Sequence, residues 1–396
     1  MQIERPSDIS VSFLKYNNKK KIIKSIYQLE QVSRSELSKK LHISKPAISD
    51  NLEGLLSCGI VQEIGEGQAA AHGGRKPVLL RFNREAKYIL SVDFNVSNPL
   101  FVLSDLCGNI KREFEIQVSR NTRKEDYASI IHNGLALLVN SSGIGKEKIY
   151  CVAIAAPGVF DADGKLATCN AKFGGGEWST FDFRKEVQES FNLPTIVVND
   201  VNAAAIGEWN SVSQREDNSM LYISCGEGIG AGLIINGRLY TGLNNCAGEI
   251  YNYTDLDRLK HGSNVEQEIC IHSYIQRINQ EKEARGDKSD LVTDFETVIE
   301  AYKNGDELVC KIGDEFCNEL AVIVLNYVNL MAFDSVVFGG EYSFLYERFH
   351  QIFHEKYKGL CVTAPQITLS REGKYSGIYG LVSLAREHYF EEICRL

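Results

Sequence analysis

The sequence has no Cys-x-x-Cys pair, although it holds 11 cysteines, scattered singly from Cys58 to Cys394. An odd, unclustered set excludes a disulfide framework and a cysteine zinc cage, and reads as small buried hydrophobes in a reducing compartment. No apolar run approaches the ~18 residues of a membrane-spanning helix. The longest candidate, Leu320 to Phe333, is interrupted by Asn326 and Asn329. The opening residues MQIERP lack the apolar region of a secretory leader. These absences lead to the expectation of a soluble, cytoplasmic protein with no membrane partner. Disorder is excluded as well, because 44% of the 396 residues are hydrophobic and 24% are charged. At roughly 150 residues per domain, two or three domains are expected.

Charge is distributed unevenly. Residues 1–84 hold 14 Lys and Arg against 8 Asp and Glu, whereas residues 85–396 hold 29 against 44. A basic head on an acidic body is the electrostatic arrangement of a nucleic-acid reader joined to something else.

In the head, apolar residues fall at helical spacing from Lys19 to Leu56: Ile22, Ile23, Ile26 and Leu29, then Leu37 and Leu41, then Ile48, Leu52, Leu55 and Leu56. The punctuation predicts three short helices. Ser33 precedes Glu36 by three, a capping box for the second helix, and Ser44 is an N-cap for the third, with Pro46 in its first turn. The break at His42-Ile43-Ser44 has the length of a helix-turn-helix turn. The third helix then offers Ser44, Lys45, Ala47, Ser49, Asp50 and Asn51 outward, short polar groups for base edges and a lysine for phosphate. Asp50 dissents, since a carboxylate there repels phosphate unless it accepts from a cytosine amino group. Two short strands, Ile60–Ile64 and Val78–Phe82, flank a Gly/Ala-rich tip followed by Arg75 and Lys76, which makes a wing with a basic edge.

The body begins with strands at Tyr88–Phe94, Leu100–Leu106 and Lys111–Val118, then a helix near Arg123–Asn140 and a buried strand at Tyr150–Ala156. Another strand, Thr195–Asn199, leads into a helix from Val201. A second cycle starts at Met220–Cys225, turns at Asn236-Gly237, and ends with long helices and a strand at Ser335–Phe338 before Gly339-Gly340. Two sheet-and-helix halves predict an α/β body with a cleft between them.

Several segments now carry a resemblance: Ser33-Arg34-Ser35-Glu36-Leu37, Gly73-Gly74-Arg75-Lys76-Pro77, Ala156-Pro157-Gly158, Asn199-Asp200-Val201-Asn202-Ala203-Ala204-Ala205, the run Gly226 to Gly232, and Ala247-Gly248-Glu249. In this order they resemble the ROK family, bacterial sugar kinases and sugar-responsive repressors on an actin/hexokinase-like fold. The winged head resembles the repressor branch, typified by the xylose and N-acetylglucosamine repressors. The resemblance implies a winged helix-turn-helix domain at 1–84 and a two-lobed α/β domain at 85–396. Its lobes are expected at about 85–200, joined by a C-terminal helix 375–396, and at 201–374. It also implies that the Asn199-Asp200 pair matches the kinases' catalytic pair, Asp200 being a vestigial general base. A competing reading from the residues alone has Asp200 capping the helix that follows. Gly158, Asn199, Asp200 and Glu249 match sugar-contacting positions, with Asn170 and Glu266 matching at irregular spacing.

The departures from the family pattern are informative. Asn252 stands where the kinases carry a histidine that binds zinc and sugar, and Tyr253 to Glu266 contains no cysteine, so no metal is expected. Asp93-Phe94-Asn95 replaces Asp-x-Gly, and Gly226-Glu227-Gly228-Ile229-Gly230 replaces Gly-Thr-Gly-x-Gly. A carboxylate for a hydroxyl sets like charge beside a triphosphate, and Asn95 takes up space that backbone N–H groups would present. The expectation is a sugar-responsive DNA-binding transcriptional regulator, a repressor, with a degenerate kinase-like cleft, no enzyme activity and no cofactor. Its partners are operator DNA and a sugar or sugar phosphate, and it works as a homodimer or homotetramer. The alternatives are an active ATP-dependent sugar kinase carrying a DNA-binding head and a constitutive DNA-binding scaffold with an idle cleft.

Overall fold

The apolar spacing of the head closes into α1 (Val11–Gln28), β1 (Val32–Ser33), α2 (Arg34–Leu41), α3 (Lys45–Ser57), β2 (Val61–Glu66) and β3 (Val78–Phe82) in a computed structural model. The structure describes residues 11–67, 76–94, 98–118, 124–161, 164–168, 181–212, 218–286 and 291–395. The first helix is longer than predicted, starting at Val11 rather than near Lys19. Ile22, Ile23, Ile26, Leu37, Ile48, Leu52 and Leu55 are all buried, as their period requires. Ser33 forms the predicted capping box: its hydroxyl accepts from Glu36 N–H, and its own N–H donates to the Glu36 carboxylate at 2.8 Å. His42 turns the chain in the left-handed region (φ 54°), and Ser38 Oγ steadies that turn by donating to the Ile43 carbonyl at 2.6 Å. The strands pair antiparallel in the order β1-β3-β2, so the wing's two strands lean on the head's own core.

The body's first half contains β4 (Tyr88–Asp93), β5 (Leu100–Asp105), β6 (Ile110–Glu115), α4 (Lys124–Ser142), β7 (Ile149–Ala156), β8 (Val159–Phe160), β9 (Leu166–Thr168), α5 (Phe183–Phe191), β10 (Thr195–Asn199) and α6 (Asp200–Asn210). The second half contains β11 (Ser219–Cys225), β12 (Ile229–Ile235), β13 (Arg238–Tyr240), α7 (Leu256–His261), α8 (Val265–Ile269), α9 (Ile271–Ala284), α10 (Phe295–Lys303), α11 (Glu307–Met331), β14 (Ser335–Gly339), α12 (Tyr346–Ile352), β15 (Gln366–Leu369) and α13 (Ser376–Arg395).

Among the described residues, the two halves repeat one topology. Three meandering antiparallel strands lie on one side, β6-β5-β4 and β13-β12-β11, and two parallel strands follow on the other, β7-β10 and β14-β15. The β12–β13 hairpin turns at Asn236-Gly237, both at positive φ as a tight two-residue turn needs. Strand β7 is buried along its whole length, and β4 is buried up to its closing Asp93, because helices cover both faces.

Helix α6 packs against α13, β11 and β12, while α13 also covers β4 and β7. The two helices cross closely because glycine allows it. A Cβ on Gly207 would run into the Ser376 carbonyl, and one on Gly380 into the Ala203 carbonyl. The far half of α13 meets the head. Tyr27, Phe82 and Phe390 stack edge to face with centroids 5.2 to 6.0 Å apart, so one apolar core runs from the head into the body.

Candidate functional site: an acidic cleft and an exposed helix end

The parallel strands of both sheets end at one cavity of about 1010 Å³. Its lining comes from strand ends, as in other open α/β sheets: Asp93 at the end of β4, Pro157 and Gly158 after β7, Asn199 and Asp200 at the end of β10, Glu227 and Gly228 after β11, Gly339 to Glu341 at the end of β14. Gly158 has φ +116°, a conformation open to glycine, and its carbonyl accepts from Asn199 Nδ2 at 3.1 Å. Asn199 Oδ1 in turn accepts from Asn202 N–H at 2.9 Å. Asn199 is therefore the N-cap of α6, and Asp200 is the first residue of the helix, which corrects the reading of Asp200 as cap. Asn199 ties two walls of the cleft together through these two bonds, and both Asn199 and Asp200 line the cavity. The Asp200 carboxylate accepts from Val201 N–H at 2.9 Å.

Of the other expected sugar residues, Glu249 and Glu266 line the cavity, Glu266 being buried. Asn252 does not: it is exposed, and the neighbouring Tyr251 faces the cleft in its place. The reason is the short helical turn Ile250–Asn252, which buries Ile250 and swings the next side chain but one away. Asn170 and Asn95 lie outside the described residues. Asp93, Tyr251, His272 and Glu341 are cleft residues that motif reading did not mark as ligand contacts. A carboxylate closing an otherwise apolar strand was the available signal for Asp93.

Burial and mutual repulsion shape the cleft's electrostatics. Burial, then the nearby Asp200, pushes the Asp93 carboxyl up to about 8. Burial raises Asp200 to about 6 against the pull of backbone N–H groups. Glu249 rises to about 7 through burial, with Asp200 and Glu266 adding to it. Glu341 also rises to about 7, mainly through burial, against the pull of nearby backbone N–H groups and with Glu227 adding to the rise. A Cβ on Gly226 would collide with this carboxyl, so Glu341 fills the space above the glycine turn.

Each of these groups holds a proton more readily folded than unfolded. Their contribution to stability is full below the ordinary carboxylate range and is lost as pH rises through about 6 to 8. Melts of the ligand-free protein should therefore show Tm falling between those values, and Glu341→Gln, which cannot ionise, should flatten the fall. A Tm that climbs over the same interval would contradict the assignment.

At the head, Ser44 caps α3 by accepting from Ala47 N–H, and Ser44, Lys45 and Ser49 are exposed with Ala47 half-buried. Asn51 is not on this surface. It is 3% exposed and donates to the Ala47 carbonyl at 2.7 Å. At i+3 from Ile48 and i−4 from Leu55, it belongs to the buried stripe, and the expectation of an outward Asn51 was wrong for that reason. Asp50 is exposed beside Lys15 at 3.5 Å, which tempers its repulsion toward phosphate. Lys76 is exposed at the foot of the wing, and Arg75 lies outside the described residues.

The sequence model of the ROK family matches residues 91–388. The chain belongs to the ROK family. Among its ROK relatives, the xylose repressor of Bacillus subtilis (strain 168) is 32% identical over 247 residues, 61% of this chain and 62% of the relative. This chain thus spans less than two thirds of that protein. The xylose repressor of Caldicellulosiruptor bescii is 29% identical over 358 residues, covering 85% of this chain and 86% of the relative. A crystal structure of a ROK family transcriptional regulator, a homolog of the E. coli MLC protein, superposes with a TM-score of 0.77 at 19% identity. It covers 96% of this chain and 98% of that one. A ROK glucokinase from Streptomyces griseus, solved with glucose and AMPPNP, gives 0.64 at 20% identity, covering 76% of this chain and 99% of the kinase. At such identities the likeness is one of fold, a winged head on a two-lobed ROK body.

The zinc set that the resemblance implies for ROK kinases does not fit these residues. Asn252 is exposed, and among the described residues no group of three or more His, Cys, Asp and Glu could hold a metal ion. No described helix is long and apolar enough to cross a membrane.

Proposed function

We propose that this ROK protein is a sugar-responsive DNA-binding transcriptional regulator, a repressor, whose cleft binds sugar and has given up ATP. Residues 1–84 act as the reading head and 85–396 as the effector body. Ser44, Lys45, Ala47 and Ser49 present the α3 end to a major groove, with Lys76 and Arg75 along the backbone of the duplex. Two copies, or four, meet an inverted repeat, since one winged unit buries too little for selective binding. The names of the relatives make xylose the first sugar to test.

The observation that carries the loss of ATP is the seat of Glu341. A triphosphate needs the open face of the glycine turn, and the chain's own Glu341 carboxyl already fills that space, where a Cβ on Gly226 would collide with it. Glu227 stands on the same turn. Two unit charges about 4 Å apart repel by ~1 kcal/mol in water and by several times that in a partly dry cleft.

The lining also favours an uncharged sugar over a sugar phosphate. Asp93, Asp200, Glu227, Glu249, Glu266 and Glu341 surround the cavity. Of its basic lining residues, Lys374 is already paired with Glu115 at 2.7 Å. The ionised members of such a wall accept hydrogen bonds from sugar hydroxyls and repel phosphate. Asp200, Glu249 and Glu266 serve as the hydroxyl acceptors, and Gly158 permits close approach.

The test is a fluorescence titration of an inverted-repeat operator, selected by the protein from random duplexes, with and without xylose, glucose, N-acetylglucosamine and their phosphates. A free sugar should change operator affinity by roughly 5- to 150-fold, the usual range of coupling between two sites. Sugar phosphates should do far less. Insensitivity to the whole panel would leave only the scaffold reading, and ATP turnover that vanishes in Asp200→Asn would restore the kinase.

A further inference from the structure

We infer that α13 is the lever that carries the state of the sugar cleft to the DNA-reading head; this rests on the regulator reading above. The helix has 20 residues, a rod about 30 Å long at 1.5 Å per residue. Its two ends lie in the two functional regions.

At the cleft end there is no slack. Ser376 and Gly377 line the cavity. A Cβ on Gly377 would run into the Asp93 carboxyl, so the first turn rests directly on a cleft carboxylate. Ser376 Oγ donates to the buried Glu208 of α6 at 2.7 Å, and the Ser376 carbonyl presses on Gly207. Since α6 begins at Asp200, a ligand that moves Asp93 or Asp200 moves the start of α13 with it. Packed interiors transmit such shifts rather than absorbing them.

At the head end the contacts belong to one face of the same helix. The Arg386 guanidinium lies 4.3 Å from the centroid of the Tyr27 ring on α1, and its Nη1 donates to the Leu106 carbonyl at 3.1 Å. Phe390 meets Tyr27 and Phe82 edge-on. Glu387 pairs with Lys24 at 2.6 Å and Glu391 with Lys20 at 2.7 Å. These two pairs are partly exposed and add little to stability, yet they set the register of α1 along α13. A coupling element must be one that both sites bias, and α13 is held by both.

The experiment compares operator affinity with and without D-xylose in the full-length protein. Glu387→Lys with Glu391→Lys puts like charges against Lys20 and Lys24. The ratio of the two affinities should fall at least threefold toward one. Xylose binding measured by calorimetry without DNA should stay within twofold. Adding Lys20→Glu and Lys24→Glu should restore the ratio. Because each ratio is taken within one variant, the loss of head charge cancels. Phe390→Leu, which keeps most of the volume, is the second arm and should also depress the ratio. An undiminished ratio in both arms overturns the lever and leaves the regulator intact. A wild-type protein whose operator affinity ignores every sugar of the panel overturns both together, and if a panel sugar other than D-xylose shifts that affinity, it replaces D-xylose in both arms.

Discussion

Asp200→Ala should weaken sugar binding by roughly 100-fold, about 2.7 kcal/mol, because a buried carboxylate accepting sugar hydroxyls contributes about 1.5–3 kcal/mol per hydrogen bond. Operator binding without sugar should stay within twofold of wild type, since the head touches neither the residue nor its partners. The variant would then hold its operator whatever the sugar concentration. The prediction singles out Asp200 over Asn199 on geometry. Asn199 spends its side chain on the Gly158 carbonyl and the Asn202 N–H. Removing it would disturb both the cap and the wall, and binding and folding would be confounded. Asp200 is raised to about 6 by burial, so at pH 8 it is ionised at a cost to folding. Its loss should leave Tm at pH 8 no lower than wild type. Calorimetry and a melt on the same sample check both halves, and a full sugar response in Asp200→Ala would refute the site.

Glu208→Ala should cost about 3–5 kcal/mol of stability, because several buried donors lose their acceptor at about 1–3 kcal/mol each. Glu208 is 2% exposed. It accepts from Ser376 Oγ at 2.7 Å, Glu372 N–H at 3.0 Å, Arg371 N–H at 3.1 Å and Ser370 Oγ. One carboxylate thus fastens the loop after β15, and the first residue of α13, to α6. Without it the Arg371 and Glu372 N–H groups and Ser370 Oγ lose this acceptor in a place water reaches poorly, while Ser376 Oγ keeps the Gly373 carbonyl at 2.8 Å. Chemical denaturation would show a lower midpoint. Glu208→Gln, which keeps one oxygen in position, should lose less than half as much. A midpoint shift under 1 kcal/mol (an order-of-magnitude bound for surface changes) would mean the loop is held otherwise.

The head was legible because local rules act within a few residues there. Ser33 and Glu36, then Ser44 and Pro46, marked helix starts that the structure reproduces. Asn51 was misplaced because polarity was weighed above position: the helical period puts it with Ile48 and Leu55, and its amide finds a partner in the Ala47 carbonyl. In the body, Thr195–Asn199 was read with its true ends, set off by Pro194 before and a capping Asn after. The competing reading of Asp200 as the cap chose the wrong member of the Asn-Asp pair, because either side chain could serve and only the path of the chain chooses.

The motifs located the cleft but not all of its members. Glu227 was visible as a carboxylate in a glycine turn. Glu341 was not, since it follows a different strand and reaches the turn only because β14 runs beside β11. Asp93 could be read as part of a loop motif, yet it lies near enough to Asp200 to feel its charge and against Gly377, which brings three distant parts of the chain together.

By itself, then, the order of residues determined the winged head, the twice-repeated strand pattern and the acidic strand ends that line the cleft, because periodicity, caps and turns are set by neighbours in the chain. Tertiary structure alone decided that Glu341 sits in the glycine turn, that Asn199 braces the cleft while Asp200 faces it, and that α13 joins the cleft to the head. Those are contacts between remote segments, fixed by how sheets and helices pack, and no local rule contains them.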